Sequence, residues 1–211
     1  MRYWWVNQNQ TFRQETRGNF MWSPKVKLDG TRNPFYDFMQ AVVPGDVVFS
    51  FCDALIKTVG IVTGRAQTAP KPDFGNAGSN WANEGWYVPV YYVHLQEPLR
   101  PADHMPILTP LLPERYAPLQ PNGRGNQGVY LTELSETLAE ALIVLMGHAQ
   151  FEDVLALLTG FPATPDPEES DEVPSDVGPT VRDQIIKARR GQGIFRSIQR
   201  PAPIAPCGSS L

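Results

Sequence analysis

Residues 3–6 of the chain, Tyr-Trp-Trp-Val, constrain the fold more than any other stretch. They are aromatic or β-branched and contain neither glycine nor proline, so they predict a buried β-strand. The polar residues 7–11 cannot continue an apolar strand, and we expect them to form a polar edge at its end. Trp4 and Trp5 are interpreted either as core residues or as flat surfaces beside that polar edge.

Trp22 differs from these two tryptophans because it precedes Ser23 and Pro24. A proline restricts the residue before it to extended geometry, and this pattern is interpreted as a loop. A tryptophan in a loop is either a stacking surface for a planar ligand or a plug of the core. We expect Trp22 to line a hollow together with Trp81 and the loop that contains Gln120.

The rest of the chain predicts several short strands and helices. Strands are predicted at residues 47–51, 55–63, 86–95 and 129–131, and helices or helical turns at residues 34–42, 107–112, 135–145 and 150–158. Residues 68–83 and 117–128 predict long loops, and Gly60 predicts a bulge or a close backbone approach. Together these elements predict an α+β fold, a small mixed or antiparallel β-barrel decorated by short helices, with further helices at the C-terminal end.

Charge divides the chain into three predicted regions. Residues 1–160 hold all the predicted strands and helices, and form the predicted domain. Residues 162–180 carry six acidic side chains, no basic ones and many prolines, which predicts an acidic linker over residues 161–180. Residues 181–211 carry six basic side chains against one acidic one, so we expect a basic and poorly ordered tail.

Composition excludes several classes of function. The net charge of −4 argues against a non-specific nucleic-acid coat, although a local basic strip can still contact phosphates. Two distant cysteines and three unclustered histidines predict no metal site, and no phosphate loop or nucleophile elbow is present. We therefore predict no catalytic residues and no cofactor. The chain has no membrane-spanning or signal pattern, and we expect a cytoplasmic protein.

Aromatic and amide side chains recur together in separate segments. Such groups can stack on a planar ligand and read its polar edge without carrying charge, although each amide alone can equally cap a turn. The aromatic members are Trp22, Phe35, Tyr36, Trp81 and Trp86, and the amide and hydroxyl members include Asn7, Asn9, Ser23, Asn33, Gln120, Asn122 and Asn126. This pattern favours a binding site for a planar, polar-edged ligand such as a nucleobase.

Several of these motifs, in this order, resemble the EVE domain, a PUA-like β-barrel. The form with Asn-Gln-Asn-Gln-Thr at residue 7, Met-Trp-Ser-Pro-Lys at residue 21 and Pro-Leu-Gln-Pro-Asn-Gly at residue 118 resembles the N-terminal domain of EVE-HNH modification-dependent restriction endonucleases. The resemblance covers residues 1–147. It implies binding of DNA that carries a modified cytosine, flipped out of the duplex into an aromatic pocket.

The resemblance also implies roles for particular residues. The base-binding set that it implies is led by Trp22 and continues with Ser23, Asn33, Phe35, Trp81 and Gln120. The basic strip expected to contact the nucleic-acid backbone consists of Arg13, Arg17, Lys25, Lys27, Arg32 and Arg124.

Near the C-terminus the sequence departs from the EVE-HNH pattern. Residues 180–197 resemble the lead-in to an HNH nuclease module, but no histidine follows His148. An HNH site needs a histidine base and further groups that hold a divalent metal, so a metal is expected only with an intact HNH domain. We interpret residues 181–211 as a remnant of that module, and we expect this chain not to cut DNA by itself.

Two other functions stay open from the sequence. A PUA-like barrel can also bind RNA or modified RNA, in which single-stranded bases are already unstacked. The chain can also be a small-molecule or protein interaction module, with its basic tail as a partner segment. The sequence does not indicate an oligomeric state.

Overall fold

The computed structural model describes residues 1–126 and 128–159. In this part of the chain the strands are β1 (Tyr3–Asn7), β2 (Phe20–Pro24), β3 (Val47–Cys52), β4 (Leu55–Val62), β5 (Gln67–Pro70), β6 (Glu84–Leu99) and β7 (Leu131–Leu134). The α-helices are α1 (Phe12–Gly18), α2 (Pro34–Asp37), α3 (Met105–Leu108), α4 (Glu136–Met146) and α5 (His148–Thr159). Short 3-10 turns occupy Phe38–Gln40, Pro101–His104 and Thr109–Leu111.

All the strands belong to one mixed sheet. Its order is β2-β6-β4-β3-β1-β7, and β5 pairs with β6 beside this path. β1 runs parallel to β3 and antiparallel to β7, and the remaining pairs are antiparallel. This mixed sheet with short helices confirms the predicted α+β class.

The sheet curls, so that its two end strands approach each other. Tyr130 directly precedes β7 at one end of the strand order, and Trp22 lies in β2 at the other end. The backbone N–H of Trp22 donates to the Tyr130 hydroxyl at 3.1 Å. A side chain from one end therefore reaches the backbone of the other, as in a half-closed barrel.

Apolar clusters cover both faces of the sheet. On one face Trp5, Phe49 and Phe51 pack with the apolar sides of α4 and α5. On the other face Trp4 packs with Met21, Val48 and further residues. Trp4 and Trp5 are 0% and 1% exposed, because consecutive residues of a strand point to opposite faces. Both are therefore core residues, which was one of the two interpretations from the sequence.

Most of the predicted elements are present, with shifted ends. Ser135 caps α4 by accepting a hydrogen bond from the Leu138 N–H at 3.2 Å, as its sequence position predicts. Asn33 caps α2 in the same way and accepts from the Phe35 N–H at 3.1 Å. The predicted strand at residues 129–131 begins later, since β7 is Leu131–Leu134.

Three parts of the sequence prediction were wrong. Trp22 lies in a strand, β2, and not in a loop, because the extended geometry that Pro24 imposes also suits an edge strand. The predicted loop at residues 68–83 begins inside β5, and helix α1 was not predicted at all. Gly60, in contrast, agrees with one of its two predicted roles, a close approach, since a Cβ there would lie 2.6 Å from Cγ1 of Val90. The sheet irregularities themselves lie beside Ser50 and Ile56.

Two predicted regions, the acidic linker at residues 161–180 and the basic tail at residues 181–211, lie outside the described residues. Among the residues that are described, no helix has the length and apolar character needed to cross a membrane.

Candidate functional site

A cavity of about 470 Å³ opens between the polar end of β1, strand β2 and the two loops that the sequence singled out. Its lining is entirely uncharged. The lining residues are Asn7, Asn9, Gln10, Thr11, Trp22, Ser23, Pro24, Tyr36, Trp81, Gly125, Asn126, Gly128 and Tyr130. Aromatic rings and amides from five separate segments therefore meet at one hollow.

Trp22 forms the back of the cavity and is itself almost covered. Its ring contacts Phe74, at 5.8 Å between centroids, and Trp81, at 6.1 Å. On another side Gly85 lies so close that a Cβ there would come within 2.4 Å of the Trp22 ring. Only 1% of Trp22 is exposed, so it borders the cavity as a fixed wall.

Trp81 is a half-buried aromatic wall of the cavity. The Trp81 backbone N–H donates to the Gly78 carbonyl at 3.0 Å, and the residue forms an isolated β-bridge with Lys27. Gly78 has a φ of +70°, and a Cβ there would lie 2.1 Å from the Trp81 ring. Glycine is therefore required at this position, both by the left-handed backbone and by the ring that packs on it.

The amides of the cavity are held by hydrogen bonds to the fold. Asn7 accepts from the Trp5 indole N–H at 3.1 Å and donates to the Val129 carbonyl at 2.7 Å. Asn126 donates to the carbonyl of Ala117 at 2.7 Å. Because their positions are fixed before any ligand arrives, these amides can present polar atoms at defined points of the wall.

Ser23 supplies a hydroxyl that has no partner. The residue is 1% exposed, and its Oγ makes no hydrogen bond within the described part of the chain. Buried hydroxyls almost always have a partner, because removing one from water without a replacement bond costs about 1–3 kcal/mol. Because Ser23 lines the cavity, its unpaired Oγ offers a polar group to a ligand there.

A buried carboxyl lies directly behind the cavity wall. Glu15, on α1, is fully buried and accepts from the Tyr130 hydroxyl at 2.8 Å and from the Trp22 N–H at 3.2 Å. The Gln8 amide also donates to it. Burial raises the pKa of Glu15 to about 8, although these donors oppose the rise. Glu15 thus ties α1, β2 and the Tyr130 segment together behind the site.

Burial also raises the pKa of two tyrosines beside Glu15, those of Tyr92 and Tyr130, with the charge of Glu15 as the second cause. Both hydroxyls therefore stay protonated, and that of Tyr130 donates to Glu15. The Gln8 amide contacts Tyr92 Oη at 3.1 Å and also Ser50. Together with the Trp22 backbone N–H, these side chains form a connected buried network, which serves as a rigid base for the cavity.

Basic side chains surround the cavity without entering it. Arg124 is exposed and precedes the lining residue Gly125. Lys27 is also exposed, and it pairs with the lining residue Trp81 in an isolated β-bridge. Arg13 and Arg17 are exposed on α1, which begins one residue after Thr11. Positive charge is therefore placed around a neutral hollow.

The two other residues of the predicted basic strip are already paired. Lys25 bonds Glu84 at 3.0 Å and lies over the Trp86 ring at 4.4 Å. Arg32 pairs with Asp37 at 3.5 Å. Both side chains remain partly or largely exposed, but their charges are locally balanced.

Three of the six predicted base-binding residues line the cavity: Trp22, Ser23 and Trp81. Asn33, Phe35 and Gln120 do not. Asn33 supports the rim by donating to the Gly128 carbonyl at 3.1 Å, and Gln120 donates to the Gly125 carbonyl at 3.4 Å. Their amides face the backbone of the loop at residues 117–128 and not the hollow.

Sequence reasoning missed Thr11, Tyr130 and Glu15 at this site. The sequence predicted Tyr130 only as part of a strand. Glu15 lies on a short polar helix, which has no apolar periodicity to indicate which side is buried. Asn7, Asn9, Tyr36 and Asn126 belonged to the wider aromatic and amide set, without a specific role. No group of three or more potential metal ligands occurs within residues 1–126 and 128–159.

Solved structures similar to this chain include a protein from Pseudomonas putida and two YTH domains. The Pseudomonas putida protein is 12% identical, with a TM-score of 0.45 and coverage of 68% of this chain and 99% of that one. The Pho92 YTH domain, solved in complex with m6A, is 9% identical, with a TM-score of 0.48 and coverage of 69% and 82%.

The YTH domain of Zygosaccharomyces rouxii MRB1, solved in complex with N6-methyladenosine RNA, is 12% identical, with a TM-score of 0.43 and coverage of 69% and 86%. No protein-family model matches the chain, and no curated protein matches it significantly.

Proposed function

We propose that the cavity binds a modified cytosine that is flipped out of duplex DNA, and that the described residues act as a reader of modified DNA. The observation that carries the proposal is the buried, unpaired Ser23 hydroxyl in a hollow walled by Trp81 and Tyr36. An extruded base offers flat faces for the rings and a polar edge for the hydroxyl and amides.

The size and the neutrality of the cavity favour a base over an ion. Its volume of about 470 Å³ lies within the range of about 300–1,000 Å³ that is usual for sites of small organic ligands. A charged ligand would leave its charge unpaired in a lining that contains only aromatic, amide, hydroxyl, proline and glycine residues. A neutral pyrimidine with both donors and acceptors on its edge matches that lining.

The exposed cations around the cavity fit the anionic backbone that accompanies such a base. Arg124 and Lys27 make no ion pair among the described residues and lie beside lining residues. Contacts to phosphates position a protein on DNA, whereas contacts to the base decide specificity. The division into a basic rim and a neutral hollow supports both roles.

The energetic requirement of this function is moderate. Flipping a base from a duplex costs a few kcal/mol, and stacking on an aromatic side chain contributes about 1–3 kcal/mol per base. Stacking on Trp81 together with hydrogen bonds to the wall can therefore offset the cost. The EVE-HNH resemblance also implies that this reader is the specificity part of a nuclease. That link is a further part of the proposal, and it depends on residues 181–211.

Binding to three probes tests the proposal. We expect the full chain to bind a duplex with one 5-methylcytosine at least tenfold more tightly than the same duplex without the methyl group. Fluorescence anisotropy with labelled oligonucleotides measures this difference, with a single-stranded RNA of equal length as the third probe. Preference for the RNA would support the RNA-reader alternative, and equal affinity for both duplexes would contradict the proposal.

A matched pair of variants locates the binding. Trp81→Ala is expected to lower the affinity for the modified duplex about tenfold, because it removes one stacking surface. Tyr91→Ala removes another half-buried aromatic ring, from the apolar cluster that packs with α4 and α5. That control should bind as the wild type does, provided that its circular dichroism spectrum is unchanged.

Ser23→Ala separates binding from stability. The change removes a buried hydroxyl that has no partner among the described residues, so the free energy of unfolding should stay the same or rise. Affinity for the methylated duplex should fall about three- to tenfold, as expected for the loss of one hydrogen bond of about 0.5–1.5 kcal/mol. Urea denaturation and anisotropy measure the two quantities, and an unchanged affinity would remove Ser23 from the site.

A further inference from the structure

A second aromatic surface lies beside the cavity and is not part of it. The Tyr116 ring packs edge-on against Phe35, at 5.3 Å between centroids and 86° between planes, and against Phe38, at 5.7 Å and 78°. Phe38 is buried, Phe35 is half-buried, and Tyr116 is 39% exposed. The inner rings therefore hold an outer tyrosine in place at the surface.

The backbone of Tyr116 is strained. Its φ is +64°, in the left-handed region that is unfavourable for an ordinary side chain. Asparagine or glycine would adopt this geometry at lower cost, but here an aromatic residue occupies it. Strain of this kind persists where the surroundings fix the residue, and it is concentrated at binding sites.

Hydrogen bonds join this surface to the rim of the cavity. The lining residue Asn126 donates to the carbonyl of Ala117, the residue after Tyr116. Asn33 bonds both sides: it accepts from the Phe35 N–H at 3.1 Å and donates to the carbonyl of the lining residue Gly128 at 3.1 Å. The aromatic surface and the cavity are thus parts of one rigid assembly.

A cation accompanies the outer ring. The Arg115 guanidinium lies over Tyr116, 5.3 Å from the ring centroid, and is exposed. It forms no ion pair within residues 1–126 and 128–159, so its charge is available to an anion. The guanidinium also donates to the Tyr116 hydroxyl at 3.5 Å. An exposed ring with an adjacent arginine is a combination that binds single-stranded nucleic acid, by stacking on bases and by contact with phosphates.

We propose that Tyr116, supported by Phe35 and Phe38 and assisted by Arg115, stacks on the base next to the extruded one. This inference rests on the proposed function, because it requires a base in the cavity. It adds a contact of a different kind: stacking accepts any base, so Tyr116 increases affinity without reading the sequence. The modified base in the cavity then decides specificity, and its neighbour contributes binding energy.

Two trinucleotides of equal charge test the inference. Both carry 5-methylcytosine in the centre, and the flanking positions hold thymines in one probe and abasic sites in the other. We expect the wild-type chain to bind the thymine-flanked probe about tenfold more tightly, since only that probe has a flanking base that can stack on Tyr116. Competition against a labelled methylated oligonucleotide measures both affinities.

Variants at residue 116 identify the source of that difference. Tyr116→Asn keeps the left-handed backbone and removes the ring, so the two probes should bind equally while the affinity for the abasic probe is unchanged. Tyr116→Phe should retain the tenfold difference. Trp81→Ala should lower the affinity for both probes by the same factor, because Trp81 contacts the central base in this proposal.

The outcomes distinguish the two proposals. If the wild type binds both probes equally, or if Tyr116→Asn keeps the difference, the stacking role of Tyr116 is wrong and the reader function stands. If the wild type binds neither probe and no methylated duplex, the reader function fails, and the inference fails with it.

Discussion

Replacing Glu15 with glutamine is expected to abolish a loss of stability that the wild-type chain undergoes between about pH 4.5 and pH 8. The Glu15 carboxyl is fully buried, and burial raises its pKa from 4.5 to about 8. In this pH window the unfolded chain releases the proton while the folded chain retains it. The folded state therefore binds more protons, and the free energy of unfolding falls as the pH rises.

The expected size of the effect is on the order of 4 kcal/mol over the whole window, because each unit of pKa shift corresponds to about 1.4 kcal/mol. The groups that face Glu15 do not titrate there: the pKa values of Tyr92 and Tyr130 are raised well above 10, and Gln8 is neutral. Glutamine is neutral in both states, so Glu15→Gln removes this term. Urea denaturation at pH 5 and at pH 8 measures it.

A matched carboxylate serves as the control. Glu140 lies exposed on α4, and Glu140→Gln should leave the difference between pH 5 and pH 8 as it is in the wild type. The raised pKa would be contradicted if, between pH 5 and pH 8, the free energy of unfolding of the wild type rose relative to that of Glu15→Gln. Because Glu15 bonds Tyr130 and the Trp22 N–H, its ionisation state also bears on the wall of the cavity.

Replacing Gly85 with alanine is expected to lower the free energy of unfolding by about 3 kcal/mol, at the upper end of the usual effect of overpacking. Gly85 lies in β6 between β2 and β5, where its pairs are Pro24 and Ala69. A Cβ at this position would lie 2.3 Å from the Ser23 carbonyl oxygen and 2.4 Å from the Trp22 ring. Neither can move freely, because one is backbone and the other is packed on three sides.

Gly30→Ala provides the comparison. Gly30 is exposed, nothing lies within 4 Å of a Cβ there, and its φ is +78°. That substitution should cost only about 1 kcal/mol, from the left-handed backbone. Urea denaturation of the two variants tests the difference, and an equal loss would mean that Trp22 yields to the new methyl group. Gly85→Ala should also weaken binding of the methylated duplex, since Trp22 and Ser23 border the cavity.

The local properties of the chain were determined by the sequence alone. The run of aromatic and β-branched residues at 3–6 and the spacing of apolar residues after Ser135 define a strand and a helix by short-range physics, and both are present. The mixed α+β class followed from the irregular alternation of such elements. Recurrent amides beside aromatic rings also indicated the loops that meet at the cavity.

Only the tertiary structure decided which of these side chains share the hollow. The extended geometry before Pro24 is compatible with a loop or an edge strand, and pairing with β6 selected the strand. Asn33 and Gln120 had the same chemistry as Asn7 and Asn126. All four amides donate to backbone carbonyls, but only Asn7 and Asn126 line the cavity. Glu15 is also buried by long-range packing. A polar seven-residue helix does not by itself indicate that a curled sheet will cover one of its side chains.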